Sequence, residues 1–261
     1  VNAVDNEQKT QVRAHFRTFQ ADAEDSQMTQ VTLQALRGYD CAFELMKLQM
    51  DQLGYQVEPD MSSIYGRLIA QYQPYNPKPV IAIAKDELAF QAANDIIRIY
   101  IEVARLNEPG IITDQDSEFL HDYRVSLRKV RSVVSLFKGI YSDKQTLDLK
   151  REFSDLMSPT GRLRDLDVYL LDRQNYFKLL PETLHDGLTN MFNLFETERN
   201  EQLKIISRHL KSKAYNLTIN RLHTLFSGSA ELQAGPNADH TAYLYARELI
   251  WKRYRKVCKI A

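Results

Sequence analysis

Cysteine is almost missing from this chain. Cys41 and Cys258 stand alone and far apart, without the close spacing that zinc ligands need, so neither a disulfide framework nor a cysteine metal cluster is expected. A reduced, cytoplasmic protein is the expectation. Only 9 glycines and 8 prolines occur in 261 residues, too few for a fold built of short strands and tight turns. No apolar run approaches the ~18 residues of a membrane span, and no secretory signal stands at the start. Low-complexity tracts are missing too. The chain begins Val-Asn-Ala rather than Met and ends within a basic helical pattern, which predicts a fragment of a longer polypeptide.

Net charge is also missing: 34 Lys and Arg balance 34 Asp and Glu. That neutrality hides an asymmetry. The first 120 residues hold 10 basic against 18 acidic side chains, and the rest hold 24 against 16. A positive second half bears on partners, because it favours anionic ones.

What is present is helical periodicity and enough apolar residues, 44%, to bury a substantial core. Val12, Phe16, Phe19 and Ala23 recur at helical spacing, which predicts a helix over 5–24; Val31 to Leu36 reads as a short strand. A helix over 41–53 stops at Gly54, and a shorter one is expected over 61–72. Three prolines in Gln73-Pro-Tyr-Asn-Pro-Lys-Pro79 prevent both helix and ladder and mark the domain boundary. Residues 1–79 are then an N-terminal helical segment or the remnant of a preceding domain, and 80–261 a bundle. In the second part, Ile83, Leu88, Ala92, Ile96, Ile99 and Val103 predict a helix over 80–106, ended by Asn107-Glu-Pro-Gly110. Further helices are expected over 117–138, 144–157, 163–177, 181–210, 214–226 and from Thr241 to the end. No strand–helix alternation appears, so the expected class is all-α, a bundle of long antiparallel helices.

The stretch His121-Asp-Tyr-Arg-Val-Ser-Leu-Arg-Lys-Val-Arg131 carries the chemistry. At about 100° per residue, His121, Arg124, Arg128, Arg131 and Lys138 share one arc, while Leu127, Val130, Val133, Val134 and Phe137 look inward. Surface helices usually alternate charge signs, since opposite i,i+4 pairs are mildly favourable. An arc of one sign stores repulsion and invites an anion. The bland alternative is a solvated basic face. His121 is either a donor to that anion or a capping histidine; no His, Cys or carboxylate follows it at i+3 or i+4, which argues against a metal.

Two motifs carry a family resemblance. His121-x-x-Arg124-Val-x-x-Arg128-Lys129-x-Arg131-Ser132, followed by Gly161-Arg-Leu-Arg164-Asp165-Leu-Asp167-Val168, resembles the CHAD family, the conserved histidine α-helical domain. The likeness covers roughly residues 81–261. It implies a helical bundle that binds inorganic polyphosphate through basic residues, with no catalysis, cofactor or metal, found in the cytoplasm at polyphosphate granules. Lys129 and Arg162 join the candidate site through these motifs. The family also carries a second half with its own His-x-x-Arg motif. Here His185, His209, His223 and His240 are followed three positions later by Leu188, Ser212, Phe226 and Tyr243. The expectation is therefore a first half alone, with its partner half supplied by further chain or by a second copy in a homo-oligomer. Residues 29–72 resemble the tail of a CYTH triphosphate-tunnel domain, through Leu36-Arg37-Gly38-Tyr39-Asp40 and the helix after it. This implies a fused or associated CYTH-type phosphatase. The Glu-x-Glu-x-Lys strand of such enzymes is absent, so no catalytic role carries over.

Polyphosphate carries about one charge per unit, so its binder needs many cations at close spacing; Arg forks grip oxygen pairs and Lys adds point charges. Arg164 is expected to face phosphate, with Asp165 or Asp167 orienting it or a neighbouring Arg. Alternatively those acids only stabilise a helix N-terminus. Lys252, Arg255, Lys256 and Lys259 extend the basic surface on the final helix, with Trp251 and Tyr254 interleaved, or else form a solvated end. Arg199, Lys204, Arg208 and Lys211 read mostly as surface charge. Two other functions stay open: a nucleic-acid binder using the same cations, and an accessory domain of a triphosphate or polyphosphate hydrolase.

Overall fold

The computed structural model describes residues 1–20, 27–57, 64–66, 75–228 and 231–259. The chain divides into two compact units, Val1–Tyr75 and Asn76–Ala261. The fold is mainly helical, with one small sheet at the start.

The first unit holds an antiparallel sheet in the order β1 (Asn2–Val4), β2 (Thr10–Gln20), β3 (Gln27–Ala35). Helix α1 (Asp40–Gln52) packs on β2 and β3. The expected helix over 5–24 is overturned. Its apolar residues fit a helix, but Val12 and Ala14 also fit a strand's two-residue repeat, and both are buried on one face. Pairing with β3 from Val12↔Ala35 to Gln20↔Gln27 decides for the strand. Of the expected strand at 31–36, residues 31–35 lie in β3, which starts earlier, and Leu36 lies past its end. Of the expected helix over 61–72, residues 64–66 are helical and the rest lies outside the described residues.

The second unit contains α2 (Ala89–Ile112), α3 (Ser117–Leu136), α4 (Asp143–Met157), α5 (Gly161–Leu171), α6 (Arg173–Leu179), α7 (His185–Lys211), α8 (Lys213–Gly228) and α9 (Ala242–Cys258). Helix α2 is central and packs against α3, α7, α8 and α9. Ala92, Ala93, Ile97, Ile101, Val103 and Ala104 are buried around more than one face of it. Ile83 and Leu88 precede it and are exposed, so the single stripe expected over 80–106 describes only part of the helix.

Helix α2 also runs through Pro109 and Gly110, where the sequence predicts a stop. Proline removes one backbone bond, yet Ile111 beyond it is buried in the core. Asn107 Nδ2 donates to the Val103 carbonyl at 2.8 Å within this last stretch. Gly110 serves the α2–α3 crossing: a Cβ there would lie 2.3 Å from Phe119 Cγ. Gly110→Ala is therefore expected to destabilise by about 1–3 kcal/mol through overpacking, read as a lower midpoint in thermal unfolding. Asp116 caps α3, its carboxylate accepting from the Glu118 N–H at 2.8 Å.

Helix α3 has the two faces its sequence demands. Leu120, Tyr123, Leu127, Val130 and Val134 are buried, and Val133 and Phe137 are partly so. A buried polar contact fixes its rotation: the Tyr123 and Tyr215 hydroxyls lie 3.2 Å apart, and Tyr215 donates to Glu108 at 2.7 Å. Burial pushes the Glu108 carboxyl above its ordinary value, opposed by that bond. The rotation matters because the basic arc adjoins the buried face, so turning the helix would bury or release it.

Candidate anion-binding site

The arc meets α5 across the short 3-10 turn Ser158–Thr160 that links α4 to α5. Arg124, on α3, donates from Nη1 to Thr160 Oγ1 at 2.7 Å and to the Met157 carbonyl at 3.2 Å. Partial burial disfavours the charge on Arg124, and the nearby Arg128 and Arg164 disfavour it further; Asp165 alone opposes them among the charged neighbours. Arg124, Arg128 and Arg164 thus form one neighbourhood of three guanidiniums, with Asp165 near Arg124 and Asp167, already bonded to Arg199, near Arg164. Arg164 Nη1 is sealed from solvent and has no hydrogen-bond partner among the described residues. A buried polar atom without a partner loses solvation and gains nothing in return. Arg128 is exposed and Arg131 partly so. Among the described residues, neither side chain is held in a hydrogen bond or ion pair. His121 stands on the same side of α3, partly exposed.

The other sequence candidates go elsewhere. Lys129 turns toward α2, where its ammonium bonds the Tyr100 hydroxyl at 3.0 Å and lies 4.3 Å from that ring's centroid. Lys138 is not on the helix. Helix α3 ends at Leu136, and the Lys138–Gly139 turn follows, with Gly139 at φ +71°. Its carbonyl accepts from Asn237 and Tyr245. Leu136 already lies about 18 Å along the helix axis from Arg124, at 1.5 Å per residue. Arg162 forms a two-pronged pair with Glu198 of α7, at 2.6 and 2.5 Å, so its charge is matched.

Helix α9 starts beside the far end of α3, through Tyr245, and Ala242 and Tyr245 are its buried residues. Lys252 lies 3.7 Å from Glu248. Arg255, Lys256 and Lys259 are exposed, and Trp251 stacks on Tyr254 at 5.5 Å. This is a second basic surface, separate from the α3–α5 cluster.

Two residues that matter carry no clear sequence signal. Thr160 is fully buried and is the side-chain acceptor for Arg124. Arg199 reads as surface charge in the sequence, but its side chain is only 17% exposed. It grips Asp114 at 2.6 and 2.5 Å and Asp167 at 2.9 Å, joining the α2–α3 turn, α5 and α7. Asp114 sits at φ +53°, a region that Asp and Asn tolerate better than most residues. Hydrogen bonds from Arg199 hold its carboxyl below the ordinary value. Burial instead pushes the Asp167 carboxyl up, with Arg199 opposing. Asp167 therefore orients Arg199, one of the roles its motif allows. The only shared signal is the spacing Arg164-x-x-Asp167, which places both on the helix that faces α3 and α7.

Chemically, the cluster supplies several N–H donors and excess positive charge, which suits a tetrahedral oxyanion. Among the described residues no group of three or more His, Cys, Asp or Glu is placed to hold a metal ion, and no helix is long and apolar enough to cross a membrane. No curated protein matches the chain. The family model of the CHAD domain matches residues 95–261, a span that runs from α2 through α9 and contains both the arc on α3 and the Arg164 motif on α5. With that match over most of its length, the chain belongs to the CHAD family.

Proposed function

We propose that this protein binds inorganic polyphosphate at the α3–α5 cluster and acts as a non-catalytic targeting or adaptor module. One observation carries the reading: Arg164 Nη1 is buried without a partner beside Arg124, whose charge is already disfavoured by burial and by Arg128. A phosphoryl group at the solvent-facing side of the cluster would offset the repulsion among these guanidiniums. Membership of a family related to polyphosphate supports the same anion. The α9 cations would engage further units of a long chain, and the adaptor would work in the cytoplasm at polyphosphate deposits.

Titration with long-chain polyphosphate at low and raised salt tests this. Counterion release predicts that log K falls linearly with log salt, by about 0.7 for each phosphate neutralised on a single-stranded polyanion. Three guanidiniums then predict a slope near −2 or steeper. No binding at low salt overturns the proposal. A second reading has one specific support, the Trp251–Tyr254 stack between Lys252, Arg253 and Arg255 on α9. Aromatic platforms flanked by cations suit single-stranded nucleic acid. Tighter binding of single-stranded RNA than of polyphosphate would favour that reading.

A further inference from the structure

We infer that Thr160 is a positioning residue of the phosphate site, its buried hydroxyl holding Arg124 so that the Nε–Nη2 edge of the guanidinium receives a phosphoryl group. This rests on the polyphosphate reading.

The geometry is a closed triangle. Thr160 Oγ1 donates its one hydrogen to the Met157 carbonyl at 2.7 Å. It can then meet Arg124 Nη1 only as an acceptor, and it does so at 2.7 Å. The Met157 carbonyl takes the other Nη1 contact at 3.2 Å. That carbonyl is the last of α4, at the negative end of the helix. Pro159 stiffens the turn that presents both acceptors. Nη1 is thereby occupied, whereas Nε and Nη2 of Arg124 have no partner among the described residues. Those two nitrogens form the parallel fork that matches two oxygens of one phosphoryl group. Thr160 and Met157 are neutral acceptors, so they hold the side chain without cancelling its charge. Left unheld, Arg124 would swing away from Arg128 and Arg164.

Replacing Thr160 by Val keeps shape and removes the hydroxyl. Thr160→Val is expected to weaken long-chain polyphosphate binding about 10-fold and to flatten the salt slope by about 0.7, one phosphate contact. Thr160→Ser restores most of the affinity. In an Arg124→Ala background, Thr160→Val adds no further loss, because both changes remove the same contact. Wild-type affinity in Thr160→Val overturns the inference, and so do losses that multiply in the double variant. If Thr160→Val does not fold, the wild-type chain decides by the nitrogen resonances of the Arg124 guanidinium. Two separate Nη signals, from slow rotation about the Nε–Cζ bond, are expected without ligand, and one averaged signal overturns the inference. Failure of the wild-type chain to bind polyphosphate sinks the reading on which this rests, while the Nη signals still report whether the lock exists.

Discussion

Arg124, Arg128 and Arg164 replaced together by Ala are expected to abolish polyphosphate binding and leave the helices intact. A hydrogen bond between charged groups contributes about 1.5–3 kcal/mol, so losing three predicts at least ~10³-fold weaker binding. The fold should tolerate the change. Ala is the best helix former, and Arg128 is exposed. Thr160 keeps its bond to the Met157 carbonyl when Arg124 is gone, so no new buried donor is orphaned. Repulsion among the three cations, visible in the disfavoured charge of Arg124, is relieved as well. A control separates the site from mere net charge: Lys129, Lys138 and Arg162 replaced together by Ala remove the same three charges. Lys129 is held by Tyr100, Arg162 by Glu198, and Lys138 lies in the turn after α3, about 20 Å along the axis from Arg124, so most affinity should persist. Equal losses in the two triple variants would refute the α3–α5 cluster as the site. Circular dichroism checks folding in both.

Arg199→Met is expected to be the most destabilising single change near the site. Removing one partner of a buried ion pair costs about 3–5 kcal/mol, because the other charge stays buried and unmatched. Here the stranded group is Asp167, whose side chain is 3% exposed and whose Oδ2 already lacks a partner. For a unit of this size about 3 kcal/mol corresponds to a fall in unfolding midpoint of roughly 6–12 °C. Adding Asp167→Leu should recover much of it, since the buried charge goes too. Acid titration resolves the second partner. The folded-state Asp114 carboxyl lies below its ordinary value of 3.8 because Arg199 bonds it. Its contribution is therefore fully present above that value and is lost as pH falls through the depressed one. Asp114→Asn, which keeps the tolerated backbone conformation, should lower stability at neutral pH, and the difference from wild type should vanish in strong acid. A difference that grows on acidification would contradict the Arg199–Asp114 pair.

Much of α3 was legible because burial and helical periodicity state the same constraint twice. Leu127, Val130 and Val134 must face the core, and that places Arg124, Arg128 and Arg131 together on the adjoining side. The limits of the reading were equally physical. Pro109 and Gly110 look like a stop, yet burial of Ile111 and the close approach of Phe119 outweigh one missing hydrogen bond. Val12 and Ala14 satisfy two periods at once, and pairing with β3 chose between them. Lys138 extends the arc on paper, but the helix ends two residues earlier in a turn that needs Gly139 at positive φ.

The sequence by itself determined the class, the main helices and the one-sign arc, because each of these follows from neighbours three or four positions apart. Tertiary structure alone decided which cations stay uncompensated. An arginine's availability depends on the acceptors other elements bring to it, and those lie far along the chain. Glu198 neutralises Arg162 from 36 residues away, and Asp114 takes Arg199 across 85. Thr160 reaches Arg124 across 36 residues as a neutral acceptor. It fixes the side chain and leaves the charge unmatched, which no local spacing encodes.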